Sequence, residues 1–106
     1  MEYDEKTGVR LEEVKSVGGY GSKLPNNARV DMTKTVAGGY AMAFRRLKEP
    51  DEVNGTEWED KMYKTAFRLS PEALVAVKFL TERIYNENCE ELHEVVASLI
   101  NLNQRN

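Results

Sequence analysis

Reactive side chains are few in this chain, and they stand apart from one another. His93 is the sole histidine and Cys89 the sole cysteine. His93 lies beside Glu91 and Glu94 with no nucleophile near it in sequence, so it reads as a surface or interface residue rather than a general base. Cys89 reads as a small apolar filler. One His and one Cys cannot build a zinc site of the usual nitrogen and sulfur type. Gly18-Gly19-Tyr20-Gly21-Ser22-Lys23 superficially resembles a phosphate loop, but the Gly-Lys-Ser/Thr order and its spacing are absent. The acidic run from Glu49 to Asp60 lacks the alternating oxygen-ligand spacing of a calcium loop. The expectation is a protein that is not an enzyme, with no metal and no cofactor.

Aromatic and basic residues interleave more purposefully. Tyr20 lies near Lys23, Tyr40 near Arg45 and Arg46, and Tyr63 beside Lys64 and Arg68. Single-stranded nucleic acid is held by cations that track phosphates and by rings that stack on bases, at ~1–3 kcal/mol per base. The candidate nucleic-acid-binding residues are therefore Lys23, Lys34, Tyr40, Arg45, Arg46, Lys64 and Arg68. Tyrosine is also a good strand residue, so packing at a sheet edge is the competing explanation for the rings.

Charge distribution bears on the same question. The 106 residues carry a formal net charge of −3, which is not a nucleic-acid binder's signature. Yet between Gly21 and Lys48 the cations Lys23, Arg29, Lys34, Arg45, Arg46 and Lys48 face Asp31 alone. An acidic stretch follows from Glu49 to Asp60, and then Lys61, Lys64 and Arg68 with no acid between them. A basic middle fenced by acidic segments is compatible with one positive face, and equally with a solvated surface of both signs.

The elements that would position these residues can be read from periodicity and turn chemistry. Length predicts a single domain over 1–106 with a modest core, and small domains often gain stability by associating. Residues 1–6 and 103–106 are expected to fray, and 49–61 to form an acidic loop containing Trp58. Val9 to Val17 fits neither period cleanly, so strand and short helix both stay open. Residues 17–23, followed by Leu-Pro-Asn-Asn, read as a loop. Ala28–Val36 alternates as a half-buried strand, with Val30, Met32 and Val36 on one side and Arg29, Asp31, Thr33 and Thr35 on the other. Ala37-Gly38-Gly39 is a hairpin turn, and Tyr40–Leu47 a second strand. On that strand Ala41 and Ala43 would let something approach closely. Met62–Leu69 is a third strand that runs into a helix capped by Ser70, with Pro71 at its first position.

That helix runs to about Tyr85. Ala73, Leu74, Val77, Leu80 and Ile84 form its apolar stripe, while Val75 and Phe79 make a second spot among charges and are assigned to a dimer interface. Asn88 with Glu91 has capping-box spacing for a second helix, striped by Leu92, Val95, Val96, Leu99 and Leu102. The fold class is α+β: an antiparallel sheet of three to four strands followed by two C-terminal helices. No apolar run reaches the ~20 residues of a membrane helix, the N-terminus lacks a signal peptide's basic start, and the single cysteine fits a reducing setting, so a cytoplasmic location is expected.

Two family resemblances can be stated on these residues. The stretch Asn27 to Tyr85 resembles the single-stranded-DNA-binding transcriptional coactivators known as positive cofactor four, related in structure to the Whirly proteins. The order is shared: strand, Gly38-Gly39 hairpin, basic strand ending Arg45-Arg46-Leu47-Lys48, a loop with Pro50-Asp51 and Asn54-Gly55, then a strand entering Leu69-Ser70-Pro71-Glu72-Ala73-Leu74. The resemblance implies a homodimer whose curved, basic and aromatic sheets hold extended DNA, with Lys34, Arg45, Lys64 and Arg68 as matching strand cations. The second helix and the net acidity depart from that pattern.

The segment Lys64 to Ile100 also resembles ribbon–helix–helix repressors, through Phe67-Arg68-Leu69-Ser70-Pro71-Glu72 and the spacing of Leu74, Val77, Leu80 and Glu91-Leu92. That resemblance would send Lys64, Ala66 and Arg68 into the major groove of duplex DNA. Ala66 cannot hydrogen-bond a base, however, and Tyr85-Asn86-Glu87-Asn88 replaces the usual glycine turn. A third expectation is a small protein-interaction or inhibitor module of mobile-element type, acting through the Trp58 region and the Val75–Phe79 spot. The leading expectation is a homodimeric single-stranded-DNA binder.

Overall fold

The computed structural model describes residues 2–15, 18–47 and 62–104, with the side chains of Leu47, Met62 and Tyr63 left aside. The expected acidic loop and Trp58 lie outside the described residues. Six strands, β1 (Glu2–Tyr3), β2 (Arg10–Glu13), β3 (Gly19–Leu24), β4 (Ala28–Lys34), β5 (Tyr40–Leu47) and β6 (Met62–Leu69), precede two helices, α1 (Pro71–Glu87) and α2 (His93–Gln104). All six strands join one antiparallel sheet in sequential order. The class is α+β as the periodicity implies, with six strands where three to four are expected. Among the described residues no helix is long and apolar enough to cross a membrane.

The extra strands come from segments whose side chains hide their role. Gly19–Leu24, expected as loop, is β3, paired in register with β4 from Gly19↔Thr33 to Leu24↔Ala28. Its glycines are there because the neighbouring strand leaves no room. A Cβ on Gly19 would overlap the Met32 carbonyl, and one on Gly21 would overlap the Asp31 carboxylate and the Arg29 guanidinium. The β3–β4 turn places Asn26 at φ 63° and Asn27 at φ 60°, the left-handed region that asparagine tolerates better than most residues. In the other direction, β4 stops at Lys34. Val36 lies in the next turn and is fully exposed rather than sharing the side of Val30 and Met32.

The β6–α1 junction forms as its residue types dictate. Ser70 Oγ accepts from Ala73 N at 3.1 Å, and Pro71 occupies the first turn. The other end corrects the sequence reading. Asn88 caps the C-terminus of α1 instead of starting α2: its N–H donates to the Tyr85 carbonyl and its Nδ2 to the Ile84 carbonyl at 2.7 Å. The amide side chain supplies an N–H donor to an orphan carbonyl of the last turn. Cys89 is exposed, with Sγ directed at the Tyr85 and Asn86 carbonyls, rather than filling a core.

Glu2, Tyr3 and Asn103, within the segments expected to fray, are engaged, while Met1, Arg105 and Asn106 lie outside the described residues. Glu2 and Tyr3 pair with Leu11 and Arg10. Asn103 is the most buried side chain of the described residues, at 1% exposure. Its Nδ2 donates to the Gly8 carbonyl at 2.8 Å, and its own carbonyl accepts from Arg10 Nε at 3.0 Å. Gly8 has φ +79°, and a Cβ there would strike the Ile100 backbone, so α2 sits directly on the β1–β2 turn. The guanidinium of Arg10 also lies over the Tyr3 ring at 5.2 Å.

Asn103→Ala is expected to lower stability by about 1–3 kcal/mol, since it strands a buried carbonyl. Urea unfolding checks this, and amide exchange should quicken selectively in α2. A second outcome concerns Asp4 in the same turn. The Thr7 hydroxyl donates to its carboxylate and holds the Asp4 pKa below its ordinary value. A lowered folded pKa means the contribution is complete above the unfolded value and disappears as pH falls through the folded one. Protection of the Gly8 amide, measured against its intrinsic exchange rate at each pH, should therefore fall on acidification, and Asp4→Asn should flatten that dependence.

Candidate nucleic-acid interface

Strand alternation divides the sheet into two unlike faces. Residues opposite one another across a ladder point to the same side, and every second residue along a strand shares that side. On one face the register aligns Lys23, Arg29, Arg45 and Lys64 in a single cross-strand row. Next to it runs Glu12, Gly21, Asp31, Ala43 and Ala66, followed by Gly19, Thr33, Ala41 and Arg68. The opposite face carries Tyr20, Leu24, Val30, Met32, Tyr40, Met42, Phe44, Phe67 and Leu69. One face is charged over small residues; the other is large and apolar.

The four-cation row spans about 14 Å at ~4.8 Å per strand. Like charges directly opposite each other are destabilising, and the Asp31 carboxylate resolves the conflict at the centre. It accepts from Arg29 Nε at 2.8 Å through one oxygen and from Arg45 Nε at 3.1 Å through the other. Arg29 also reaches across β3 to Glu12 Oε1 at 3.1 Å. That reach passes over Gly21, where any side chain would block it. Burial of Arg29 works against its charge, but the hydrogen bond and charge of Asp31, and then those of Glu12, outweigh it and raise its pKa. Arg29 therefore keeps its charge, as arginine does in proteins generally.

At the Lys64 end of the row the surface opens into a cleft of about 330 Å³ lined by Arg29, Arg45, Arg46 and Lys64 together with Leu24, Ala28, Phe44 and Thr65. Among the described residues the lining holds four cations, a ring and a hydroxyl beside the apolar Leu24 and Ala28, a chemistry for anions. The size is at the small end of ligand pockets, and the cleft is open rather than enclosed.

The structure brings together Lys23, Arg45, Lys64 and Arg68 on the charged face. Lys34, Tyr40 and Arg46 alternate to the apolar face, with Lys34 and Tyr40 paired at the far end of the β4–β5 hairpin. Arg46 meets the others only at the cleft, where the sheet ends. Lys23, Lys64 and Arg68 are exposed and make no ion pair among the described residues. Sequence reasoning missed Arg29 and Phe44 as site residues. Arg29 had a usable signal, since it alternates to the same side of its strand as Asp31. Among the described residues, no group of three or more His, Cys, Asp or Glu could hold a metal ion. His93 opens α2 as an exposed residue, away from the cleft lining.

No family model matches the chain, and no match is found among curated proteins or solved structures.

Asp31→Ala is expected to cost roughly 2 kcal/mol. That is below the ~3–5 kcal/mol of a fully buried pair, because both arginines keep about a third of their side-chain surface in water. Removing Arg45 as well should recover part of the loss, since the two positions share one interaction. Chemical denaturation of Asp31→Ala, Arg45→Ala and the double variant checks this; strict additivity would contradict the shared carboxylate.

Proposed function

We propose that the chain is a non-enzymatic, homodimeric binder of single-stranded nucleic acid that uses the charged face of its sheet. The observation that carries this reading is the register-aligned row Lys23–Arg29–Arg45–Lys64, which runs into a cleft that Arg46 joins. The cations meet phosphates, which is how the backbone of a single strand is tracked without sequence readout. Ala41, Ala43 and Ala66 leave the centre of the face low enough for a backbone to lie against it.

Single strand is favoured over duplex because β6 is already paired along its length with β5 in the chain's own sheet. Its charged residues are spread across a broad face and do not form a separate two-stranded ribbon that could enter a groove. Asp31 and Glu12 reduce the positive charge of the face, so the expected affinity is moderate and strongly dependent on salt. Lys34, Tyr40 and Arg46, on the other face, contribute less, with Arg46 acting only at the cleft.

Fluorescence anisotropy with a labelled oligo-dT at low salt tests the proposal. Each single-strand phosphate contact adds about −0.7 to the slope of log K against log salt. Lys64→Ala should weaken binding and flatten that slope by about 0.7. Lys78→Ala, an exposed cation on α1 paired with Glu82, should change neither. Absence of binding at low salt, or equal losses from the two variants, would reject the charged face as the site.

A further inference from the structure

Among the described residues, large apolar side chains of β5, β6 and α1 are left uncovered. Ala43 is the only buried hydrophobic residue among the described positions. In β6, every residue from Lys64 to Arg68 is exposed, so neither face of that strand is covered. In α1 the residues Ala73, Leu74 and Val77 are half-buried, but the same stripe continues through Leu80 and Ile84, which are 59% and 61% exposed. Phe44 and Phe67 are 43% and 51% exposed. The register sets Phe44 opposite Thr65 and Phe67 opposite Met42, so the two rings are diagonal neighbours on the apolar face.

We infer that a second copy of this chain seats on the β6–α1 side, with Leu80, Ile84, Phe44 and Phe67 at the centre of the contact. This deepens the homodimer part of the proposed function and does not depend on nucleic-acid binding. Area is the first argument. At ~150–250 Å² for a large side chain, these four leave roughly 400 Å² of apolar surface open. A standard interface buries about 800 Å² per partner, of which ~56–65% is apolar. The four side chains thus supply most of the apolar part of one such interface.

The second argument is charge. Four of the five ionic residues of α1 are paired within the helix, Lys78 with Glu82 at 2.8 Å and Arg83 with Glu87 at 3.7 Å, and the fifth, Glu72, lies in its first turn away from Leu80 and Ile84. Two copies of the helix can therefore approach without a large like-charge penalty. The third is constancy. A fold with so little buried apolar surface needs its partner whenever it is folded, and a second copy is always present at that moment.

The contact is assigned to the Leu80–Ile84 stripe rather than to Val75 and Phe79. By the ~3.6-residue turn, Val75 sits about 140° or more around the helix from Leu80 and Ile84 and Phe79 about 100° or more, and the Arg83 guanidinium already lies over the Phe79 ring at 5.8 Å. One partner cannot cover both sides equally.

Sedimentation equilibrium and thermal melts across a concentration series test the inference on the full chain. Wild type should weigh as a dimer, with a Tm that rises with concentration. Leu80→Glu/Ile84→Glu should weaken the dimer by about 100-fold or more, as loss of central contacts does, whereas Val75→Glu/Phe79→Glu should stay dimeric. If the first variant fails to fold, the concentration dependence of the wild-type Tm still decides. A monomeric wild type with a concentration-independent Tm would overturn the inference, as would a Leu80→Glu/Ile84→Glu chain that remains as dimeric as wild type. Oligo-dT binding by a monomer would leave the nucleic-acid reading standing, so the two failures are distinguishable.

Discussion

Arg29 and Arg45 face each other across β4 and β5, and the Asp31 carboxylate makes that register tolerable. Much of the charged face follows from this one arrangement. Asp31 is 7% exposed and sends one oxygen to each guanidinium, so two like charges become a rigid, hydrogen-bonded plate across the sheet. Arg29 extends the plate to Glu12 on β2, and Gly21 is the residue that lets it pass. The outer cations Lys23 and Lys64, at either end of the row, are exposed. A fixed centre with available ends is what a surface needs to meet a charged polymer while losing little side-chain entropy.

The opposite constraint is the shortage of buried apolar surface. The helices do not make it good: α2 is spent on the β1–β2 turn through Asn103, and α1 keeps only its first turns half-covered. Assembly and ligand binding are then complementary in the proposed account. A second copy on the β6–α1 side hides the rings and the Leu80–Ile84 stripe, and the charged faces of both chains stay outward. Spread over two copies, the cations form a larger positive surface than a chain of formal net charge −3 suggests.

Much of this fold is legible in the residues, and the parts that are not fail for physical reasons. Tyr40–Leu47, Met62–Leu69 and the Ser70-Pro71 helix start are recognisable because alternation and capping are local signals. Gly19–Leu24 is not, because its glycines report on neighbours: Met32 at one position, Arg29 and Asp31 at the other. Asn103 looks like a fraying tail until Gly8 and Arg10, more than ninety residues earlier, supply its partners. The same holds for the site. That Lys23, Arg45, Lys64 and Arg68 share a face is readable from alternation once register is known, and register sets Lys34, Tyr40 and Arg46 on the other side. The ion-paired role of Arg29 depends on a glycine in an adjacent strand, which sequence spacing does not encode.

The claim at the centre of this account is that the charged face of the sheet, and not the helices, meets the ligand. Backbone amide chemical shifts recorded while titrating oligo-dT into the ¹⁵N-labelled chain test it most directly. The account predicts that the largest changes cluster on Lys23, Arg29, Arg45, Lys64 and Thr65, with the amides of α1 and α2 unmoved. Changes confined to α1, or no changes at low salt, would contradict it.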